Sequence, residues 1–128
     1  MVKRVIIIWV LFAMLIAGAI CEQIYIENSI QYMQSKTSTL YQQIQTQYNG
    51  EPALQTLNEM QDYWQQREKV LCLLINYKEI KEIYWQMFRL EETMLQNDEE
   101  NTFIEFTVLK SYIQGSSNVI GFNMQNVF

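Results

Sequence analysis

The N-terminal segment limits most strongly what this chain can be. Lys3 and Arg4 are followed by residues 5–21, which are uncharged and mostly apolar, and Glu22 ends the run. The run is slightly shorter than the ~20 residues that span a bilayer, but its neighbours can complete the span. Its Val, Ile, Leu and Phe side chains favour insertion by roughly 3 to 6 kcal/mol in total. We therefore expect residues 1–21 to be a membrane anchor, with contact residues Lys3, Arg4, Ile6, Trp9, Leu11, Phe12, Leu15 and Ile16.

Two fates are open for this segment: retention as an anchor, or removal as a signal peptide. Residues 17–19 read Ala-Gly-Ala, an A-x-A cleavage site that would leave a mature chain beginning at Ile20. Retention is favoured because no helix breaker separates the apolar run from the amphipathic stretch after it. Both fates export residues 22–128, since Lys3 and Arg4 stay on the cytoplasmic side by the positive-inside rule.

The rest of the chain, residues 22–118, predicts an all-α fold: an antiparallel bundle of three to four helices. Pro52 is the only proline, whereas an all-β chain needs many turn residues. Apolar side chains recur at steps of three and four along four segments, as in amphipathic helices. Residues 70–75 are apolar all round and should be the most buried. The four stripes are Ile26, Ile30, Met33, Leu40, Ile44 and Tyr48; Leu54, Leu57, Met60, Trp64, Leu71, Leu74 and Ile75; Ile80, Ile83, Tyr84, Met87, Leu90, Met94 and Leu95; and Phe103, Phe106, Leu109 and Ile113.

Turn and capping residues predict where these helices begin and end. Gly50 should close the first helix as a left-handed residue, and Pro52 should lie in the first turn of the second. Asp98 is a good N-cap for the fourth helix. Residues 115–118, Gly-Ser-Ser-Asn, should end regular structure and leave residues 119–128 as an apolar C-terminal tail.

Composition argues against several classes of function. The net charge is −5, and a phosphate backbone would be repelled, so we expect no nucleic-acid partner. The chain has no histidine, which removes the commonest general base and transition-metal ligand. Its paired carboxylates interleave with basic residues, as on a solvated face, or lie in a helix first turn, where their negative charge complements the helix dipole. We expect no enzymatic activity, cofactor or metal. Those carboxylates are Glu79 with Glu82, Glu91 with Glu92, and Asp98, Glu99 and Glu100 with Glu105.

The two cysteines, Cys21 and Cys72, are predicted not to pair within the chain. In an antiparallel hairpin of the first two helices, Cys72 would lie level with a residue near position 30. That is about 14 Å along the axis from Cys21, beyond the ~7 Å that a disulfide allows between Cα atoms. Cys72 is then a core residue and Cys21 lies at the membrane edge, with a disulfide between the Cys21 residues of two copies as the alternative.

Exposed aromatic and tail residues are the candidate partner contacts. Tyr63 and Trp85 point away from the apolar stripes, and aromatic side chains are enriched at binding hot spots. Phe122, Val127 and Phe128 lie in a tail more apolar than a solvated terminus would be. This tail either folds back over the bundle or docks on a partner or a second copy.

The long first helix, Trp64 near the middle of the second, the segment 73–90 and the closing residues 125–128 together resemble domain-of-unknown-function family 4363. The likeness spans almost the whole chain. It implies a short bacterial, mostly clostridial, exported helical protein with an N-terminal membrane segment, often encoded beside a multi-spanning membrane protein, and it implies no activity. Many relatives carry a histidine near the position of Tyr77 or Lys78, so no role built on that side chain is expected here.

Together these features predict a non-catalytic, single-pass protein of the bacterial cytoplasmic membrane, with its N-terminus inside and its C-terminal domain outside. Its partners would be the lipid bilayer and either an integral membrane protein or a second copy, which it would serve as an accessory or scaffolding subunit. The alternative is a secreted helical module that binds a small ligand or cation in its interior after cleavage at Ala19.

Overall fold

The fold is entirely helical in the part of the chain that the structure describes. This computed structural model describes the backbone of residues 2–127 and the side chains of residues 2–115. Its helices are α1 (Val2–Thr46), α2 (Glu51–Leu74), α3 (Tyr77–Leu95) and α4 (Glu99–Val127). The predicted all-α class is confirmed, with four helices rather than three.

The helices pack as an antiparallel four-helix bundle. Short connections of two to four residues join consecutive helices, which forces each to run antiparallel to its predecessor. α1 contacts α2 and α4, and α3 contacts α2 and α4; within residues 2–127 the diagonal pairs have no Cα atoms within 8 Å. Only the second half of α1 takes part, because its buried residues begin at Ile26. The first half of α1 projects beyond the bundle.

The core consists largely of the predicted stripes. Trp64 is fully buried, and its indole N–H donates to the Ile80 carbonyl at 3.0 Å. Leu95 departs from the prediction, since it is exposed at the C-terminal end of α3. The buried apolar side chains are Ile26, Ile30, Met33, Leu40, Ile44, Ala53, Leu57, Met60, Trp64, Leu71, Ile80, Ile83, Met87, Leu90, Met94, Phe106, Leu109 and Ile113.

The stretch 70–75 is not the most buried part of the chain, and that prediction is wrong. Leu71 is fully buried, but Val70 is exposed and Leu73 is 86 % exposed. The reason is geometric: α2 contacts α1 and α3 along one side only, and Val70 and Leu73 fall on the other side. Because α2 is apolar on all sides here, some of its apolar side chains remain exposed at this end of the helix.

Gly50 does not have the left-handed conformation predicted for it. Its φ is −68° and its ψ is 156°, and it precedes α2 as the N-cap residue. A Cβ at this position would lie 3.3 Å from the carbonyl oxygen of Gln47, so the close approach of the chain explains the glycine. The left-handed residue among those described is Asn97 (φ 58°), between α3 and α4. Asparagine tolerates this region better than most residues because its short polar side chain can bond locally.

Two other boundary predictions are confirmed. Pro52 lies in the first turn of α2, where its missing N–H costs nothing. The Asp98 carboxylate accepts a hydrogen bond from the Asn101 N–H at 3.2 Å, as an N-cap does. The two loops at this end of the bundle also meet, because the Tyr48 hydroxyl donates to the Asn97 carbonyl at 3.1 Å.

The predicted end of helix four at residues 115–118 is wrong. α4 continues to Val127, and Gly115 lies within it with open space around its Cα. A glycine costs a helix interior only about 1 kcal/mol, and serine and asparagine less, so these residues do not suffice to stop a helix. The predicted tail, residues 119–128, is thus helical as far as Val127. The side chains of Phe122, Val127 and Phe128 lie outside the described residues, and their contact role stays a prediction.

Candidate interaction surfaces

The first surface is the projecting half of α1. A window within this helix has a mean hydropathy of 2.6 with none of its residues buried, so it is long and apolar enough to cross a membrane. A signal sequence has the same properties. The apolar residues predicted to contact lipid are all 47–72 % exposed; they are Ile6, Trp9, Leu11, Phe12, Leu15 and Ile16. Lys3 and Arg4 are exposed at its start.

The second feature is a clamp that holds α1 against α2 just beyond the apolar run. The Arg67 guanidinium lies between the rings of Tyr25 and Tyr63, 4.8 and 4.5 Å from their centroids. Its Nη1 also donates to the Ser29 hydroxyl at 3.3 Å. Cation–π contacts of this kind are worth about 0.5 to 1 kcal/mol each where partly exposed. The clamp therefore fixes the direction in which α1 leaves the bundle.

Tyr63 does not point away from the bundle as predicted. It is half-buried against the core, and its ring stacks on Tyr32 with 3.6 Å between centroids and 17° between planes. Sequence reasoning missed this seam, although two spacings indicated it. Tyr25 and Tyr32 lie seven residues apart, and Tyr63 and Arg67 lie four apart, so each pair occupies one helix face. Tyr63 is a structural residue of the α1–α2 seam.

The stack also sets the register of α1 and α2 and corrects the predicted position of Cys72. With Tyr32 level with Tyr63, antiparallel helices bring Cys72 about level with residue 23 rather than residue 30. The prediction centred the hairpin near residue 51, whereas the stacked pair centres it between residues 47 and 48, within the connection that joins α1 to α2. Both Cys21 and Cys72 are free thiols, the first exposed and the second half-buried beside the core. Burial raises the pKa of the Cys72 thiol, with Glu68 nearby adding to the effect.

Trp85 is exposed, as predicted, and belongs to an aromatic cluster on the outer face of α3. It is 57 % exposed, and its ring centroid lies 5.8 Å from that of Tyr84 and 6.2 Å from that of Phe88. Phe88 is more than a third exposed, whereas Tyr84 is half-buried against the core. We call Tyr84, Trp85 and Phe88 the α3 aromatic cluster. Exposed aromatic rings held together this way are typical of contact surfaces.

A groove of about 400 Å³ runs between α1 and α4. Tyr41 and Phe106 stack in its wall with ring centroids 5.6 Å apart, and the Lys110 ammonium lies 5.9 Å from the Tyr41 ring. The groove is a surface feature, and no predicted site residue lines it. The bundle interior is filled by fully buried side chains, among them Trp64 and Met33.

Glu91, which is predicted to lie on a solvated face, and Glu105 both accept hydrogen bonds from buried amides. The Gln61 amide donates to the Glu91 carboxylate at 2.7 Å, and the Gln86 amide donates to the Glu105 carboxylate and, at 3.0 Å, to the Glu105 carbonyl. Gln86 is 1 % exposed, and a buried amide without partners would be costly. These carboxylates stabilise helix packing. Among the described residues no group of three or more His, Cys, Asp or Glu side chains could hold a metal ion.

The sequence model of one protein family, described as Domain of unknown function (DUF4363), matches residues 20–127. The chain belongs to this family. No curated protein and no solved structure matches it. The DUF4363 match starts where the apolar run ends and reaches the last residue of α4, so it covers the whole bundle. The clamp, the α3 aromatic cluster and the α1–α4 groove all lie within the DUF4363 region.

Proposed function

We propose that this DUF4363 protein is a non-catalytic, single-pass membrane protein that serves as an accessory or scaffolding subunit at the outer face of the bacterial cytoplasmic membrane. The observation that carries the proposal is the continuity of α1. One helix runs from Val2 to Thr46, exposed and apolar in its first half and packed into the bundle in its second. A membrane that holds the first half would therefore orient the bundle.

Length and charge support the anchored arrangement. Residues 2–21 of a helix measure about 30 Å, which equals the thickness of a hydrocarbon core. Lys3 and Arg4 precede the run, and Glu22 follows it, so the positive-inside rule favours a cytoplasmic N-terminus. The Arg67 clamp then holds the first residues beyond the membrane against α2.

A contact role is supported by the α3 aromatic cluster. Tryptophan and tyrosine are the residues most enriched at binding hot spots, and Trp85 keeps more than half of its surface exposed while Tyr84 and Phe88 hold it in place. A partner that covered Trp85 would gain a large apolar area at little cost in side-chain entropy. An integral membrane protein standing beside the anchor is the partner we favour.

Photocrosslinking in intact membranes tests this role. A benzophenone amino acid replaces Trp85 in one variant and Asn58, an exposed residue of α2, in the control. We expect one defined integral membrane protein to be captured from position 85 and not from position 58. Capture of a second copy of the chain would favour a homo-oligomer instead. Equal, diffuse labelling from both positions would contradict a scaffolding role for this surface.

A second candidate function rests on the α1–α4 groove: a secreted module that binds a small ligand after cleavage at Ala19. Tyr41, Phe106 and Lys110 give the groove two stacked rings and a cation. This function requires a mature chain that begins at Ile20. The intact mass of the protein from a secreting bacterial host decides between the two functions, since an unprocessed chain would contradict the secreted module.

A further inference from the structure

The connection between α2 and α3 lies at the same height as the end of the proposed anchor. Tyr32 of α1 stacks on Tyr63 of α2, and the Lys36–Glu59 ion pair at 2.9 Å gives the same register. Counting eleven residues from the stacked pair along each helix brings Leu74 level with Cys21. α2 ends at Leu74, and α3 begins at Tyr77. The turn therefore reaches the level at which the apolar run of α1 stops.

This turn exposes apolar side chains that the bundle leaves uncovered. Leu73 is 86 % exposed, a larger fraction than for any other exposed large apolar residue described, including those of the apolar run. Val70 and Tyr77 are exposed as well, at 43 % and 60 %. The three side chains flank one turn of the chain. A membrane contact there would account for the apolar residues Val70 and Leu73, which core packing does not explain.

The local charge differs from that of the rest of the exported region. Residues 67–82 contain four basic and three acidic side chains, whereas the whole chain has a net charge of −5. Lys69 and Lys78 are exposed on either side of the turn. A bilayer with anionic headgroups attracts basic side chains at its surface and accepts apolar and tyrosine side chains in its interfacial layer.

We propose that residues 70–77 form a second membrane contact, in which Val70, Leu73 and Tyr77 enter the interfacial layer of the bilayer that the anchor crosses. The inference rests on the anchored arrangement proposed above. The bundle then contacts the membrane at the α2–α3 turn as well as at the anchor. This second contact resists tilting of the bundle about the anchor.

The distances fit an interfacial contact and separate it from the α3 aromatic cluster. The layer outside the hydrocarbon core is about 5 to 7 Å thick on each side. In the register above, Leu73 lies about 1.5 Å and Val70 about 6 Å beyond the end of the apolar run. Trp85 lies eight residues further along α3 than Tyr77, about 12 Å away, and so beyond this layer. Trp85 thus stays free for a protein partner while the turn contacts lipid.

Depth measurement in vesicles tests the proposal. The unprocessed full-length chain with Cys21→Ser and Cys72→Ala is labelled with bimane at Leu73→Cys, or at Leu95→Cys as control, and placed in vesicles of phosphatidylcholine and phosphatidylglycerol. Leu95 is 62 % exposed at the opposite end of α3, so both substitutions spare the core. We expect lipids spin-labelled near the headgroup to quench position 73 several-fold more strongly than position 95.

Flotation of the same vesicles separates the two proposals. Protein that floats but shows equal quenching at positions 73 and 95 overturns the membrane contact of the turn and leaves the anchor standing. A blue-shifted bimane at position 73 that the spin-labelled lipid fails to quench indicates a protein contact and also overturns the proposal. Protein that does not float at all contradicts the anchor and, with it, this inference.

Discussion

Trp64 is the largest fully buried side chain of the bundle, and it joins α2 to α3 through its hydrogen bond to the Ile80 carbonyl. We expect Trp64→Ala to lower the free energy of unfolding by about 3 to 5 kcal/mol because it leaves a cavity. Trp64→Phe removes the donor but keeps most of the apolar contact, so about 1 to 2 kcal/mol should be lost. Urea unfolding of the full chain in mild detergent measures both.

The matched control is Trp85→Phe, which changes the same side chain at an exposed position. Its effect should stay within about 0.5 kcal/mol, as for most surface substitutions. If Trp64→Phe were as harmless as Trp85→Phe, the buried hydrogen bond would contribute nothing to stability.

Arg67 acts through its planar guanidinium, which stacks between two tyrosine rings while donating to Ser29. Arg67→Ala should cost about 1 to 2 kcal/mol from two cation–π contacts. Arg67→Lys keeps the positive charge but not the planar guanidinium, so it should retain only part of the stability that Arg67→Ala loses. Urea unfolding again provides the measurement. Full stability in Arg67→Ala would show that the clamp does not hold α1 to α2.

Cys72 provides a prediction on pH. Burial raises its thiol pKa in the folded chain, so the neutral thiol is favoured by folding. This stabilisation is fully present below the ordinary thiol pKa of about 8.5 and is lost as pH rises through the higher folded value. In the Cys21→Ser variant, the rate of maleimide labelling should therefore rise at higher pH in the folded chain than in urea. Coincident profiles, or a folded profile at lower pH, would contradict the assignment.

At the scale of elements, the helix boundaries were harder to predict than the helices themselves. The predicted buried stripe of α1 is confirmed, because apolar residues at steps of three and four lie on one face of a helix. Gly50 was assigned a left-handed conformation from its residue type, but the structure uses it for close approach to Gln47. Among the described residues, Asn97 has the left-handed conformation. Residue type alone does not predict which residue adopts it.

Other errors share one physical origin, which is that local patterns do not contain tertiary register. The apolar stretch 70–75 is predicted to be buried, yet Val70 and Leu73 lie on the side of α2 that faces away from α1 and α3. Tyr63 was read as outward-facing because its stacking partner, Tyr32, is thirty-one residues away in sequence. Glu91 is predicted to be solvated because the buried amide of Gln61, which donates to it, is on another helix.

The continuity of α4 can be tested at Gly115. In a continuous helix with open space around its Cα, Gly115→Ala should stabilise the chain by about 0.4 to 1 kcal/mol. If the helix instead ended at Gly115 and this glycine had a left-handed conformation, alanine would destabilise the chain. Thermal or urea unfolding followed by circular dichroism gives the sign.

Gly50→Ala is the matched control, because a Cβ there meets Gln47 atoms at 3.2 to 3.3 Å. It should bring no gain in stability, since Gln47 must shift to make room. A gain at Gly50 equal to that at Gly115 would mean that unfolded-chain entropy alone decides both results.

For the whole molecule, the bundle and the apolar half of α1 are one mechanical unit. α1 has no break between them, and the Arg67 clamp binds its first bundle residues to α2. The position of the membrane would then set the height of each surface: the α2–α3 turn at the interface and the α3 aromatic cluster above it. The DUF4363 family match covers this bundle from residue 20 onwards and identifies no reaction.

We propose above that residues 2–21 stay in the membrane and hold the bundle outside the cytoplasm. The most direct measurement is the intact mass and membrane fractionation of the protein in a Gram-positive host, with protease added to intact protoplasts. The anchored arrangement predicts a full-length, membrane-bound chain whose bundle is digested from outside. A chain found in the medium and shortened to begin at Ile20, or a full-length chain that the external protease cannot reach, would contradict it.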